Sequence, residues 1–256
     1  MAEEKQTNYT IAEEYEIPSK GIIYSAKVNP RIELRSMTAR DEMKRLNPSS
    51  TQFKLLADII EGCCIEKPAI HVYDMALGDY EYLLHRLRVI TYGEEYKISL
   101  RCPYCGEVID TVAHLDELRV KEFDKNKFES YRSFMLPKLG KLITLNVQTP
   151  RILDEIELRS KELKRKFPDA EISFETFVTL KLAIDTVDGV KLNDSQLESF
   201  INKLPAADMV KILNNLDEMN DCIGLDNRLI VDCPKCGGEV RTSFRFGQEF
   251  FRPTNI

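Results

Sequence analysis

Tryptophan is absent from this chain and histidine nearly so, at three residues. The missing tryptophan carries little information. The histidines matter more, because His71, His85 and His114 are scattered, and each reads as a packing or surface residue before it reads as a catalyst. There is no glycine-rich phosphate loop, no His-Glu-x-x-His element and no Gly-x-Ser-x-Gly element. These absences argue against an enzyme, and no residue stands out as catalytic or as a binder of an organic cofactor. Long apolar runs are lacking too. None approaches the roughly 18 residues needed to span a bilayer, and residues 1–10 are polar and acidic, without a signal core. The expectation is a soluble protein that stays in the cytoplasm of the cell that makes it, with no membrane partner.

An excess of positive charge is also missing. The net charge of −6 argues against a chain whose main task is gripping phosphate, since that affinity comes from clustered lysine and arginine. What is present is ordinary globular composition, 43% hydrophobic and 30% charged, in a chain long enough to bury a real core.

Pattern along the chain predicts an α+β fold. Residues 9–28 read as an extended arm, because Pro18 and Gly21 favour turn and strand over helix. Arg31-Ile32-Glu33-Leu34-Arg35 alternates with period two and predicts a strand. Thr38, followed by Asp41 and Glu42, predicts a helix start over 39–46. A second helix is expected over 51–63, with Phe53, Leu56, Ile59 and Ile60 on one face, and a third from Asp79 with Leu83, Leu84, Leu87 and Ile90 inward. Further helices are expected over 151–167, 174–186, 194–203 and from Pro205 to about 219, with a small hairpin around Gly140 before them. The organisation expected is an arm and strand (1–35), a helical region (36–95), a first knuckle hairpin (96–117), a mainly helical insertion (118–225), and a second knuckle hairpin with tail (226–256).

The seven cysteines carry the chemistry. In a long, unexported chain, paired spacings read as metal ligands before disulfides. Cys102-Pro103-Tyr104-Cys105-Gly106 follows the alternating Tyr96, Ile98 and Leu100. Cys233-Pro234-Lys235-Cys236-Gly237 follows Leu229 and Val231, and is itself followed by the alternating Val240, Thr242, Phe244 and Phe246. Each turn delivers two sulfurs to one point, and zinc wants four donors in a tetrahedron. Cys102, Cys105, Cys233 and Cys236 are therefore expected to share one structural Zn2+ per chain in a zinc-ribbon-like pair of hairpins. The objection is the 127 residues between the pairs. Closing such a loop costs roughly 4 kcal/mol against about 2.4 for a 15-residue loop, while structural zinc contributes about 10–16 kcal/mol in small fingers. The ion outweighs the closure. Two separate metals would need extra donors; His114 could serve the first pair, but the second has no histidine nearby. A redox role would want the pairs at helix N-termini, whereas both run into glycine and strand-like sequence. Cys63, Cys64 and Cys222 read as small core-filling thiols. The basic run Lys161, Lys164, Arg165 and Lys166 reads as a solvated helix face, with an acidic partner as the alternative.

An ordered series of segments resembles the baseplate proteins of T-even-type contractile-tailed phages, the group linked to baseplate hub assembly. It comprises Ile17-Pro18-Ser19-Lys20-Gly21, Ser36-Met37-Thr38-Ala39-Arg40-Asp41-Glu42, Leu77-Gly78-Asp79, Leu84-His85-Arg86-Leu87-Arg88-Val89-Ile90-Thr91-Tyr92-Gly93 and the two knuckles. The match covers roughly residues 15–110 and 224–240, and the helical middle is similar only in layout. The resemblance implies a non-catalytic structural or assembly protein, located in the host cytoplasm during assembly or in the tail baseplate. Its implied partners are other baseplate or hub proteins and the tape-measure protein, with the arm suited to adding a strand to a neighbour. The rival reading is a zinc-ribbon nucleic-acid-binding or transcription-regulatory protein. It would use Arg228, Lys235, Arg241, Arg245 and Arg252, which Asp232, Glu239 and Glu249 partly offset.

Overall fold

Two strands begin the chain, in a computed structural model that describes residues 10–25, 27–49, 51–244 and 246–251. Residues 1–9, Ala26 within the expected arm, and Arg245 and Arg252 of the basic set lie outside the described residues. β1 (Ala12–Glu16) and β2 (Arg31–Arg35) pair antiparallel, with Tyr15 opposite Ile32 and Glu16 opposite Arg31. The alternation works as read: Ile32 and Leu34 are buried while Arg31 and Glu33 face water. The N-terminal segment is extended, but it is not free. Ile17 and Val28 enter the same core as Ile32 and Leu34. Ser19 is fully buried, and both its N–H (2.9 Å) and its hydroxyl donate to the Asp79 carboxylate, as does the Tyr24 hydroxyl. Removing residues 1–28 would therefore open the core rather than leave a folded remainder.

Three helices follow, and the second and third join that first core. Thr38 and Asp41 form a reciprocal capping box that starts α1 (Ala39–Arg45). The N-cap of α2 (Gln52–Cys63), Thr51, makes no side-chain cap, and the acidic partner comes from elsewhere in the chain. Asp154, buried in α5 (Pro150–Lys166), accepts the Lys54 N–H at 2.9 Å and the Phe53 N–H at 3.4 Å. α3 (Leu77–Tyr92) buries Tyr80, Leu83, Leu84 and Leu87. Its early Gly78 is required by contact. A Cβ there would lie 2.4 Å from the Ile223 carbonyl oxygen. Leu87's neighbour Arg88 is fully buried, and donates to the carbonyls of Gly93 (2.7 Å), Phe250 (3.2 Å) and Glu95 (3.3 Å).

A second core gathers the middle of the chain. α4 (Lys125–Arg132) leads into β5 (Ser133–Met135) and β6 (Leu142–Leu145), a hairpin turned through Gly140 at φ +61°. The expected helix over 174–186 stops early: α6 is Phe174–Ala183, and Ile184–Val187 becomes β7, paired antiparallel with β6. The reason is local. Asn146 captures the last carbonyls of α6, its N–H bonding Ala183 (2.7 Å) and its amide bonding Leu182 (2.9 Å), and the β-branched Ile184, Thr186 and Val187 suit a pleated surface. α7 (Asp194–Asn202) opens on an Asn193–Gln196 capping box, and α8 (Ala206–Asp221) follows Pro205. Buried Asp208 turns back to accept the N–H groups of Lys138 (2.8 Å) and Leu139 (3.0 Å) in the β5–β6 turn. α4 was missed in sequence, although Asp124, which accepts from Asn126 and Lys127, was its available start signal. Among the described residues no helix is long and apolar enough to cross a membrane.

Candidate metal centre

Two hairpins built on one plan carry the paired cysteines. β3 (Glu95–Arg101) pairs with β4 (Val108–His114), closing at Arg101 opposite Val108. β8 (Arg228–Asp232) pairs with β9 (Glu239–Ser243), closing at Asp232 opposite Glu239. Beyond each closing pair the same turn recurs. The Cys102 N–H donates to the Glu107 carbonyl (2.8 Å) and the Gly106 N–H to the Cys102 carbonyl (3.0 Å). In the second copy Cys233 donates to Gly238 (2.9 Å) and Gly237 to Cys233 (2.8 Å). Gly106 and Gly237 sit at φ +74° and +70°, a backbone state that disfavours any side chain.

The two turns meet tip to tip. Cys102 Sγ lies 3.7 Å from Cys236 Sγ, and Cys105 Sγ lies 3.7 Å from Cys233 Sγ. All four sulfurs fall within 4.8 Å of one another. Sulfurs bonded at about 2.3 Å to one tetrahedral ion stand about 3.8 Å apart, whereas a disulfide needs about 2.05 Å. The spacing fits a shared cation and all four cysteines are free. Cys102 and Cys233 are buried, while Cys105 and Cys236 are exposed. A small apolar floor of Ile109, Val240 and Val231 lies beneath, separate from both large cores.

Contacts across the turns are reciprocal. Lys235, between the second pair, bonds Glu107 just after the first (2.6 Å), and Tyr104, between the first pair, covers Gly238 just after the second. A Cβ at Gly238 would stand 2.6 Å from the Tyr104 ring. The doubled glycine Gly237-Gly238 was the sequence signal for this contact and was not read as one.

Electrostatics in the cluster is uneven. Burial pushes the Cys102 thiol up, but the N–H groups of Cys105 and Tyr104 outweigh it and hold it down to about 7. The Glu107 N–H favours the Cys105 thiolate, yet desolvation and the three neighbouring sulfurs push that thiol up to about 12. One thiolate forms readily and further ones repel it, as expected where a dication would supply the missing charge. A shell of four protein sulfurs leaves no open position for water, so it fixes geometry and activates nothing.

The remaining sequence-marked residues fall elsewhere. His114 stands at the opposite end of its hairpin, across from Glu95, and cannot serve the first knuckle. His71 accepts the Tyr73 N–H (3.0 Å) and pairs with Glu61 (2.5 Å). His85 is buried with its Nε2–H on the Leu115 carbonyl (2.9 Å), and burial lowers its pKa to about 4. Cys63 and Cys64 sit in and against the first core, where burial raises their thiols to about 11 and 12, and Cys222 lies in the second. Lys161, Lys164, Arg165 and Lys166 are all exposed, and Lys161 and Lys166 pair with Glu157 and Glu162 one turn earlier. Of the basic set around the second knuckle, Arg228, Lys235 and Arg241 each already face a carboxylate at 2.6 Å, those of Asp226, Glu107 and Glu239.

A family described as T4 bacteriophage base plate protein matches residues 9–252. No curated protein and no solved structure matches the chain. The matched stretch takes in the docked N-terminal segment, the Ser19–Asp79 latch, both cysteine hairpins and every helix between them, so the chain belongs to the family of T4-type phage baseplate proteins.

Proposed function

We propose that this protein is a non-catalytic structural or assembly component of a contractile tail, acting at the baseplate hub, and that Cys102, Cys105, Cys233 and Cys236 hold one structural zinc ion. The observation that carries the metal reading is the sulfur spacing, 3.7 Å across both turn-to-turn pairs, which matches the edge of a zinc–thiolate tetrahedron. Tetrahedral sulfur sites take zinc or iron, and a spectroscopically silent zinc suits a part whose task is geometry. The hub assignment draws its support from the family together with the sequence segments shared with hub-assembly proteins. In this reading residues 118–225 are an insertion between two metal-joined hairpins.

The buried acids are consistent with a scaffold. Asp79, Asp154 and Asp208 each accept backbone N–H or hydroxyl donors, which tie remote segments together. The partners on this reading are other baseplate or hub proteins, including the tape-measure protein, met in the host cytoplasm during assembly and retained in the baseplate. Elemental analysis of protein purified without chelator tests the metal. One zinc per chain and a colourless solution are expected; all four thiols titrating free, or an iron chromophore, would overturn the zinc assignment. Affinity purification from producing cells tests the role. Tail components are expected to co-purify, whereas recovery of DNA or a polymerase, with steeply salt-dependent DNA binding, would favour nucleic-acid recognition instead.

A further inference from the structure

Among the described residues β1 is paired on one side only. The Ser36 N–H donates to the Ile11 carbonyl and the Ile17 N–H to the Pro30 carbonyl, so the odd-numbered residues of β1 bond inward to β2. Antiparallel geometry then aims the N–H and C=O groups of Ala12, Glu14 and Glu16 outward. The equivalent groups on the far edge of the sheet are used: the Ile65 N–H donates to the Glu33 carbonyl (2.9 Å), and Leu34 bridges to Cys64. Among the described residues no backbone group does the same for the outer edge of β1.

Charge on that edge has one sign. Glu13, Glu14 and Glu16 occupy three of its five positions and are exposed. Glu13 accepts the Tyr15 hydroxyl (2.7 Å) and Glu14 stands 3.7 Å from Arg31, while Glu16 makes no ion pair among the described residues. Like-charged edges are a familiar guard against aggregation, and guarding against self-pairing is part of what these do. Two copies meeting edge to edge would oppose glutamate with glutamate. A basic strand meets no such penalty, so the same residues that reject a second copy select a different partner. The edge is also held ready. Ile17 anchors one end in the core, and the Arg86 guanidinium lies 5.5 Å over the Tyr15 ring. Less order is then lost on docking.

We infer that the outer edge of β1 takes a basic, extended segment of another protein as a third strand beside Ala12–Glu16. The identity of that protein as a tail component rests on the baseplate reading; the edge and its charge preference do not. The test uses overlapping synthetic peptides tiling whichever proteins co-purify with the chain, measured against the full-length protein by fluorescence anisotropy. Glu14→Pro removes an outward N–H together with one carboxylate and its contact with Arg31, and leaves every backbone bond to β2, which edge strands tolerate. Glu16→Lys reverses charge without touching the backbone. Thermal midpoint and metal content report whether each variant is folded. The expected binders carry net positive charge and strand-forming sequence, and lose at least about tenfold in affinity to both variants, as loss of a backbone edge and of charge complementarity requires. Binders that are neutral or acidic, binders indifferent to Glu14→Pro in the folded variant, or an array without binders would overturn the docking edge. The names of the co-purified proteins test the baseplate reading separately.

Discussion

His85 shows how a single buried side chain acquires a pH signature. Its Nε2–H serves the Leu115 carbonyl, and its ring sits 6.2 Å from Phe246 and 6.4 Å from Phe250, so desolvation disfavours the charged form and lowers its pKa to about 4. An unfolded histidine titrates near 6.5, so between pH 6.5 and 4 the unfolded chain binds the extra proton and stability falls on acidification. At most about 3 kcal/mol is lost across that window. His85→Gln keeps a donor for Leu115 without a titrating ring, so its unfolding free energy should fall less steeply over this range. Equal slopes in urea titrations of both proteins would show that His85 is not the source. Thiol protonation at the knuckles acts on both alike and cancels in the difference. The motif Leu84-His85-Arg86-Leu87-Arg88 was visible in sequence, but these roles were not. Arg88 bonds Phe250 from 162 positions away, a partner that no local pattern indicates.

At the scale of elements, the close crossing of α3 and the segment after α8 depends on Gly78. Ile223 lies against it, and Gly224, at φ +111°, approaches the same backbone. Gly78→Ala must push main chain apart and is expected to cost at least about 3 kcal/mol, in the range of severe overpacking. Gly62, near the end of α2, has nothing within 4 Å of its would-be Cβ. Gly62→Ala is expected to be neutral or to stabilise by up to about 1 kcal/mol through helix propensity. Chemical denaturation of the two variants checks the contrast; equal effects would remove the argument from contact. α1 was legible from its Thr38 cap, and α2 from the apolar face of Phe53, Leu56, Ile59 and Ile60. The end of α6 was not, because the sequence continues apolar through Ile184 and the group that captures its last carbonyls, Asn146 just after β6, lies far back in the chain. Equally, the cap that starts α2 comes from Asp154 in α5, which no residue near Thr51 indicates.

For the whole molecule, the knuckles form a third, small core outside the two large ones. Three apolar side chains lie with the four cysteines, while the bases of both hairpins join the first core through Tyr96, Ala113, Leu229 and Phe244, so a metal is what would fix the tips. On the zinc reading, chelation should expose the hairpin tips first and lower unfolding free energy by roughly 3–5 kcal/mol, with β1, β2 and α3 still protected. Amide hydrogen exchange before and after chelation checks this; uniform loss of protection, or none, would contradict it. Cysteine spacing, turn glycines and strand alternation lie within a few residues of one another, so the sequence by itself determined the α+β class, the two knuckles and the four cysteines that the fold gathers. Only the tertiary structure decided that the N-terminal segment locks onto Asp79, that Lys235 and Tyr104 cross between the knuckles, and which edge of β1 is left without a backbone partner among the described residues. Those outcomes depend on groups 55 residues and more apart meeting in space, and on backbone bonds whose register no side-chain pattern states.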